Sequence, residues 1–163
     1  MHQKNRLCII FVFASILQIA GQDTNKPADQ QKLEQRGNEG MGFDQQKITH
    51  HFLLTKDGGV IQVTANSPDD KTSIDEIRMH LKHIAGAFSS GDFDIPMFVH
   101  DKTPPGVPVM KRLRKKIFYK VELVDAGGKV VIGTPNPKAR QAIWDFLRFQ
   151  IREHKTGDPL RNL

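Results

Sequence analysis

Apolar and polar residues alternate in two separate parts of the chain. The first part reads "ITHHFLL", "TKDGG" and "VIQVTAN", and the second reads "KIFYKVELV", "DAGG" and "KVVIGTPNP". In both, two alternating runs flank a short turn that contains glycine. This pattern predicts two antiparallel β-hairpins.

A segment with helical spacing follows each hairpin. In "SPDDKTSIDEIRMHLKHIAGAF" the apolar residues recur every three or four positions, which predicts a helix that ends near residues 89–91. The segment "KARQAIWDFLRFQIREH" predicts a second helix, and Gly58-Gly59 aligns without a gap with Gly127-Gly128 when the two parts are compared. The chain is therefore predicted to be α+β, with two ββα units forming a four-stranded antiparallel sheet and both helices packed on one face.

The N-terminus has the pattern of an export signal. A cationic "MHQKNR" precedes the apolar "LCIIFVFASILQIAG", which predicts a signal peptide over residues 1–21 and a periplasmic or secreted protein. The apolar run is short for a transmembrane helix. The only cysteine, Cys8, lies inside it, so the exported chain would have no thiol for a disulfide or a thiolate metal site.

The rest of the chain divides by composition. Residues 22–46 are rich in Gln, Asp, Lys and Gly and predict a flexible polar linker, in which "ADQQKLEQR" is a candidate for a short helix. The α+β domain is predicted over 47–155 and a C-terminal tail over 156–163. The formal net charge of +6 is a mild excess that does not by itself indicate nucleic-acid binding.

Three histidines are predicted to face the interface between the sheet and the helices. Strand alternation places His50 with Ile48 and Phe52 on the better core face, and His51 on the other face. His80 lies beside the apolar stripe of the first helix, and His154 extends the inward line of the second. A fourth histidine, His100, is predicted in the loop after the first helix.

Two interpretations of these histidines stay open. Gathered neutral imidazoles without thiolates suit a transition metal such as copper or zinc, with His50, His80, His100 and His154 as ligands. Auxiliary groups would be Met97, Met110 and Asp92. Alternatively, the histidines satisfy buried polar groups in a non-catalytic structural or protein-interaction module.

Other features suggest further functions. Asp92 near His100 is compatible with an enzyme that uses an acid–base pair, although "GDFD" also reads as a turn that ends a helix. An exposed Trp144 or Phe149 on the second helix would favour a homodimer. The basic run "KRLRKK" suggests contact with an anionic surface, or else a solvated helix end. Its basic residues are Lys111, Arg112, Arg114, Lys115 and Lys116.

Three long stretches of the chain resemble a known family. They are "RGNEGMGFDQQKITHHFLLTKDGGVIQVTANSPDD", "IRMHLKHIAGAFSSGDFDIPMFVHDKTPPG" and "AIWDFLRFQIREHKTGD". They resemble a family of small bacterial proteins of unknown function whose members are often called aspartate carbamoyltransferase. The resemblance implies that His50, His80, His100 and His154 occupy the family's histidine positions, and that His51 and His83 are particular to this chain.

The name used for that family does not fit this sequence. A true aspartate carbamoyltransferase is a two-domain α/β enzyme that binds carbamoyl phosphate through a Ser-Thr-Arg-Thr loop at a helix N-terminus. This chain of 163 residues is too short for that architecture and has no such loop. The resemblance therefore implies a shared histidine site and no transferase activity.

Overall fold

Four antiparallel strands form one sheet in the order β1-β2-β4-β3 in this computed structural model, which describes residues 27–162. The two predicted hairpins meet along β2 and β4, where Gly58 lies opposite Gly133 and Thr64 opposite Gly127. The strands are β1 Ile48–Thr55, β2 Gly58–Ala65, β3 Phe118–Val124 and β4 Gly127–Gly133. The predicted α+β fold of two ββα units is confirmed.

Five α-helices lie in the described part of the chain. They are α1 Ala28–Met41, α2 Lys71–Ser90, α3 Asp94–His100, α4 Val107–Arg112 and α5 Pro137–His154. Helices α2 and α5 are the two that follow the hairpins. Their starts are capped by Asp70, which accepts a hydrogen bond from the Ser73 amide, and by Asn136, which accepts from the Lys138 and Ala139 amides.

The paired glycines of the two units let the helices approach the sheet. A Cβ on Gly59 would collide with Leu147 of α5, and a Cβ on Gly128 would come close to Leu81 of α2. Each glycine thus receives a leucine from the helix of the other unit, and both leucines are fully buried. This close packing explains why the second glycine of the pair, Gly59 or Gly128, recurs in both hairpins.

Helix α1 occupies residues 28–41, inside the segment 22–46 for which the sequence predicted a flexible linker. The linker interpretation was wrong for these residues. Leu33 is buried, Gly40 lies against Phe98 and Val99 of α3, and the Arg36 side chain donates to the Val99 carbonyl at 2.8 Å. The helix is polar in composition because it buries only a narrow stripe, so its stability comes from the contact with α3.

His100 ends helix α3, whereas the sequence placed it in a loop. Pro96 suggested a break, but it is the third residue of α3, where a missing amide hydrogen costs nothing. At the other end of the chain, the predicted tail folds back on the domain. Asp158 accepts a hydrogen bond from the Phe52 amide at 2.9 Å, and the Arg148 side chain donates to the Leu160 carbonyl at 2.9 Å.

The predicted signal peptide over 1–21, with Cys8, lies outside the described residues, as do residues 22–26 of the predicted linker. Across residues 27–162, no helix is long and apolar enough to cross a membrane.

Candidate functional site

Four histidines line one cavity between the sheet and the helices. His50 comes from β1, His80 from α2, His100 from α3 and His154 from α5. The rest of the wall is mainly apolar, and the cavity measures about 60 Å³. Since one liquid water occupies about 30 Å³, this space holds one ion or about two waters and is too small for a typical organic substrate.

His154 is the centre of this group. Its ring centroid lies 5.5 Å from that of His50 and 5.1 Å from that of His100. Two imidazoles bound to one tetrahedral ion at about 2.1 Å have centroids roughly 5 Å apart. Each of these two ring pairs is therefore spaced as two ligands of one ion would be.

His80 lines the same cavity and is close enough to His50 that, after desolvation, its charge is the next cause of the lowered pKa of His50. Its ring packs edge-on against Phe43, with 5.3 Å between the centroids. The nitrogens of the cluster also do not converge: among residues 27–162, no group of three or more His, Cys, Asp or Glu side chains is arranged to hold a metal ion. The four predicted ligands therefore line one cavity, but their nitrogens are not in the geometry of a metal site.

A hydrogen bond fixes the tautomer of His100. Its Nε2 donates to Oε1 of Gln150 at 2.7 Å, which leaves Nδ1 with a lone pair. This Nδ1 has no hydrogen-bond partner, although the side chain is only 1 % exposed, and it lies 3.9 Å from Glu153 Oε2. An orphaned buried acceptor is rare in folded proteins, and metal-bound histidines show the same outer hydrogen bond.

Burial keeps all four imidazoles neutral at pH 7. Desolvation, followed by the charge of His80, lowers the pKa of His50 to about 4. Desolvation, followed by the charge of His83, lowers the pKa of His80 to about 4. Desolvation also lowers the pKa of His154 and of His100, in the latter case against the opposing effect of the Gln150 hydrogen bond. Neutral imidazoles are the form that binds metals.

The predicted auxiliary residues do not lie at this cavity. Met110 is fully buried in the core, Met97 is absent from the cavity wall, and Asp92 is exposed and accepts a hydrogen bond from the Asp94 amide. Asp92 therefore belongs to the turn between the end of α2 and the start of α3, in agreement with the interpretation of "GDFD" as a turn that ends a helix, and is not placed to act with the buried His100. The acid–base pair is not supported.

Sequence reasoning missed three residues at the site. Met41 and Gln150 line the cavity, and Glu153 approaches His100. Gln150 lies on the same inward line of α5 as His154, a signal that was present in the spacing. Met41 had no such signal, because it belongs to α1, which the composition assigned to a linker.

The aromatic residues of α5 are engaged within the chain. The Trp144 indole donates to the carbonyl oxygens of Thr55 and Gly58 at 3.0 and 2.9 Å. Phe149 is buried, with its ring centroid 4.8 Å from that of His100. Neither residue is thus an exposed side chain of the kind that would favour self-association, and a homodimer stays a prediction.

The basic run occupies the end of α4 and the 3-10 turn Arg114–Lys116 before β3. Most of its side chains are exposed, and that of Arg114 lies close to Gly91. This placement agrees with a helix end that leads into a strand. Contact with an anionic surface stays a prediction.

Comparison of the chain with models of protein families, with curated proteins and with solved structures finds no match in any of the three. The family resemblance stays a prediction.

Proposed function

We propose that this chain is an exported small binding protein that takes up a transition metal ion, copper or zinc, in the histidine-lined cavity. His50, His100 and His154 would provide three nitrogen ligands, with His80 as a fourth. The observation that carries the proposal is the unpartnered Nδ1 of His100, a buried lone pair on a ring that contacts the neutral imidazole of His154.

The spacing of the rings supports this function. The centroid distances of His154 to His100 and to His50, 5.1 and 5.5 Å, match those of two imidazoles on one ion. The cavity volume of about 60 Å³ supplies space for the ion and a water. The imidazole nitrogens do not converge on one point in this structure. Metal binding would rotate the rings so that they do.

The donor chemistry limits the metal. Imidazole nitrogens without a thiolate suit Cu(II) and Zn(II), and the thioether of Met41 in the cavity wall would favour copper. Gln150 would fix the orientation of the His100 ring through its hydrogen bond to Nε2, as residues that bond to a metal ligand do in metalloproteins.

Elemental analysis tests the proposal directly. The protein purified from cells that express the full chain, in chelator-free buffer, is expected to carry near-stoichiometric copper or zinc. The variant His154→Phe, which keeps a ring in the cavity wall, should lose the metal, and titration calorimetry should show affinity weakened at least tenfold. His83→Phe is the matched control, because His83 lies on the exposed side of α2. Absence of metal in the parent protein, with no heat on titration of CuSO₄ or ZnCl₂, would contradict the proposal.

One observation favours the alternative of a structural or interaction module. His100 bonds Gln150 and His80 packs on Phe43, and no three ligating side chains of residues 27–162 converge on one point. In that case, the purified protein is metal-free, and His50→Ala lowers the thermal midpoint without changing any metal response. The same elemental analysis therefore separates the two functions.

A further inference from the structure

The two outer edges of the sheet differ in what covers them. β1 and β3 are the edge strands, since the strand order is β1-β2-β4-β3. The chain itself covers the outer edge of β1, where Asp158 accepts a hydrogen bond from the Phe52 amide at 2.9 Å. An uncovered edge strand presents free N–H and C=O groups that pair readily with another strand.

The repeat of the two hairpins identifies the backbone groups of β3 that point outward. Counted back from the turn, Val121 of β3 occupies the position that Phe52 occupies in β1. Backbone direction alternates along a strand, so the N–H and C=O groups of Tyr119, Val121 and Leu123 all point away from β4. Within residues 27–162, no loop or side chain forms a hydrogen bond with these groups. The outer edge of β3 is therefore open.

Two exposed apolar side chains lie on the same strand. Phe118 is 55 % exposed and Leu123 is 60 % exposed, and no other strand of the sheet carries an exposed large apolar residue. The two side chains project to opposite faces of β3, because side chains alternate along a strand. One strand added at this edge would therefore cover both of them.

The charges of β3 are complementary to those of a second copy of β3. Lys120 and Glu122 flank Val121 on one face of the strand. When two β3 strands pair antiparallel about a two-fold axis at Val121, Lys120 of each copy lies directly opposite Glu122 of the other. Moving the axis by one residue sets Lys120 opposite Lys120 or Glu122 opposite Glu122, and like charges in these positions repel. Charge thus selects one register.

The backbone favours the same register. An axis at Val121 brings outward-pointing groups of the two strands face to face, so each copy donates and accepts in turn. Within one chain, Glu122 lies 3.0 Å from Lys120 Nζ and 3.1 Å from Lys129 Nζ. A carboxylate has about four acceptor positions, so Glu122 can also accept from Lys120 of the second copy.

We propose that β3 pairs antiparallel with β3 of a second copy of this chain, centred on Val121, so that the two sheets form one sheet of eight strands. This register also sets Tyr119 opposite Leu123 and Phe118 opposite Val124. The isologous contact closes on itself and yields a dimer. It does not use the histidine cavity, so the dimer forms without a metal.

Sedimentation velocity of the protein purified from cells that express the full chain, in buffer with EDTA, tests the association. As the protein concentration is raised about 100-fold, the mass is expected to rise from that of one chain to that of two. A single chain at every concentration would overturn the proposal, and so would growth beyond two chains.

A pair of charge variants tests the register. Lys120→Glu sets glutamate opposite Glu122, and Glu122→Lys sets lysine opposite Lys120, so each variant alone should dimerise about tenfold more weakly or worse. In an equimolar mixture the two variants complement each other at both contacts, and the dimer should return. Lys32→Glu, the same charge change at an exposed position of α1, is the control and should dimerise like the parent protein. Full dimerisation of either variant alone, or no recovery in the mixture, would overturn the proposal.

Hydrogen exchange of the parent protein locates the contact without any substitution. On dimerisation, the amides of Tyr119, Val121 and Leu123 should become protected, whereas those of His50 and Leu54 on β1 should not change. Protection elsewhere with none on β3 would overturn the proposal. Circular dichroism confirms that each charge variant is folded. Since all samples contain EDTA, the result does not depend on whether the metal proposal holds.

Discussion

His100 Nε2 donates a hydrogen bond to Gln150 Oε1 at 2.7 Å, between two side chains that are both buried and fifty residues apart. Replacing Gln150 by Leu removes the acceptor and leaves a buried N–H without a partner. We expect the free energy of unfolding to fall by about 1–3 kcal/mol. Urea denaturation followed by circular dichroism measures this loss.

The same substitution tests whether Gln150 orients a ligand. If His100 binds metal through Nδ1, Gln150→Leu should weaken copper or zinc affinity by about 10–100-fold. Gln141→Leu is the control, because Gln141 is exposed on the same helix and should change neither stability nor affinity. Loss of stability with unchanged metal affinity would make the bond purely structural.

Acid should destabilise the metal-free protein through its buried histidines. The pKa of His50 is about 4 in the folded protein and 6.5 in an unfolded chain, so the unfolded state binds more protons between these values. Stability is therefore fully present above about pH 6.5 and falls as the pH is lowered toward 4. At about 1.4 kcal/mol per pKa unit, His50 accounts for on the order of 3 kcal/mol of this loss.

Urea denaturation between pH 4 and pH 7.5 checks this dependence. His50→Leu should flatten the profile, although the remaining slope from His80 and His154 should persist. His83→Gln should change it less than His50→Leu does, since His83 is exposed and its charge is only the second cause of the lowered His80 pKa. An unfolding free energy of the parent protein that stays constant over this range would contradict the neutral, buried state of the imidazoles.

Asp158 holds the C-terminal segment to the outer edge of β1. Its carboxylate, 8 % exposed, lies 2.9 Å from His51 Nδ1 and accepts hydrogen bonds from the Phe52 amide and the Thr156 hydroxyl. These bonds lower the pKa of Asp158 against the opposing effect of burial. Asp158→Ala should lower the free energy of unfolding by about 1–3 kcal/mol and leave the Phe52 N–H at an unpaired strand edge.

Thermal unfolding and light scattering report the two effects of Asp158→Ala, namely a lower midpoint and more aggregation. Asp75→Ala is the control, since the Asp75 side chain is 81 % exposed. Equal midpoints for the two variants would show that the C-terminal segment does not stabilise the domain.

The periodic spacing of apolar residues predicted the strands and helices that bury a wide apolar face. The alternation in β1 placed His50 toward the helices, the apolar stripe of α2 placed His80 beside it, and the inward line of α5 placed His154 there too, so three of the four histidines that line the cavity could be found from the sequence. The two hairpins and helices α2 and α5 carry the same strong pattern, since they build most of the core.

The remaining parts depend on tertiary contacts that leave little trace in a single sequence. Helix α1 buries Leu33 and Gly37 and is held by α3, which itself includes Pro96 in its first turn. The sequence patterns of α1 and α3 resemble those of connecting segments. The place of Met41 in the cavity wall and the helical position of His100 were therefore not predicted. Short helices stabilised by their neighbours are poorly encoded by periodicity.

Two glycines with positive φ make a final comparison of packing at the site. Gly42 lies in the left-handed helical region, with φ +80° and ψ +15°, where alanine costs about 1–2 kcal/mol in backbone strain, whereas Gly106, with φ +84° and ψ −31°, lies outside that region, where alanine is strained at least as much. A Cβ on Gly42 meets nothing within 4 Å, whereas a Cβ on Gly106 collides with the Ala142 carbonyl oxygen of α5.

Gly106→Ala must therefore push α5 away from α4, and α5 carries Gln150 and His154. We expect Gly106→Ala to reduce the free energy of unfolding by at least about 3 kcal/mol, and Gly42→Ala by about 1–2 kcal/mol. Urea denaturation of the two variants under the same conditions measures the difference, which contains the collision with Ala142 and any additional backbone strain at Gly106. Equal losses would mean that α5 is free to shift at Ala142, and then the close spacing of His154 and His100 would not be held by this contact.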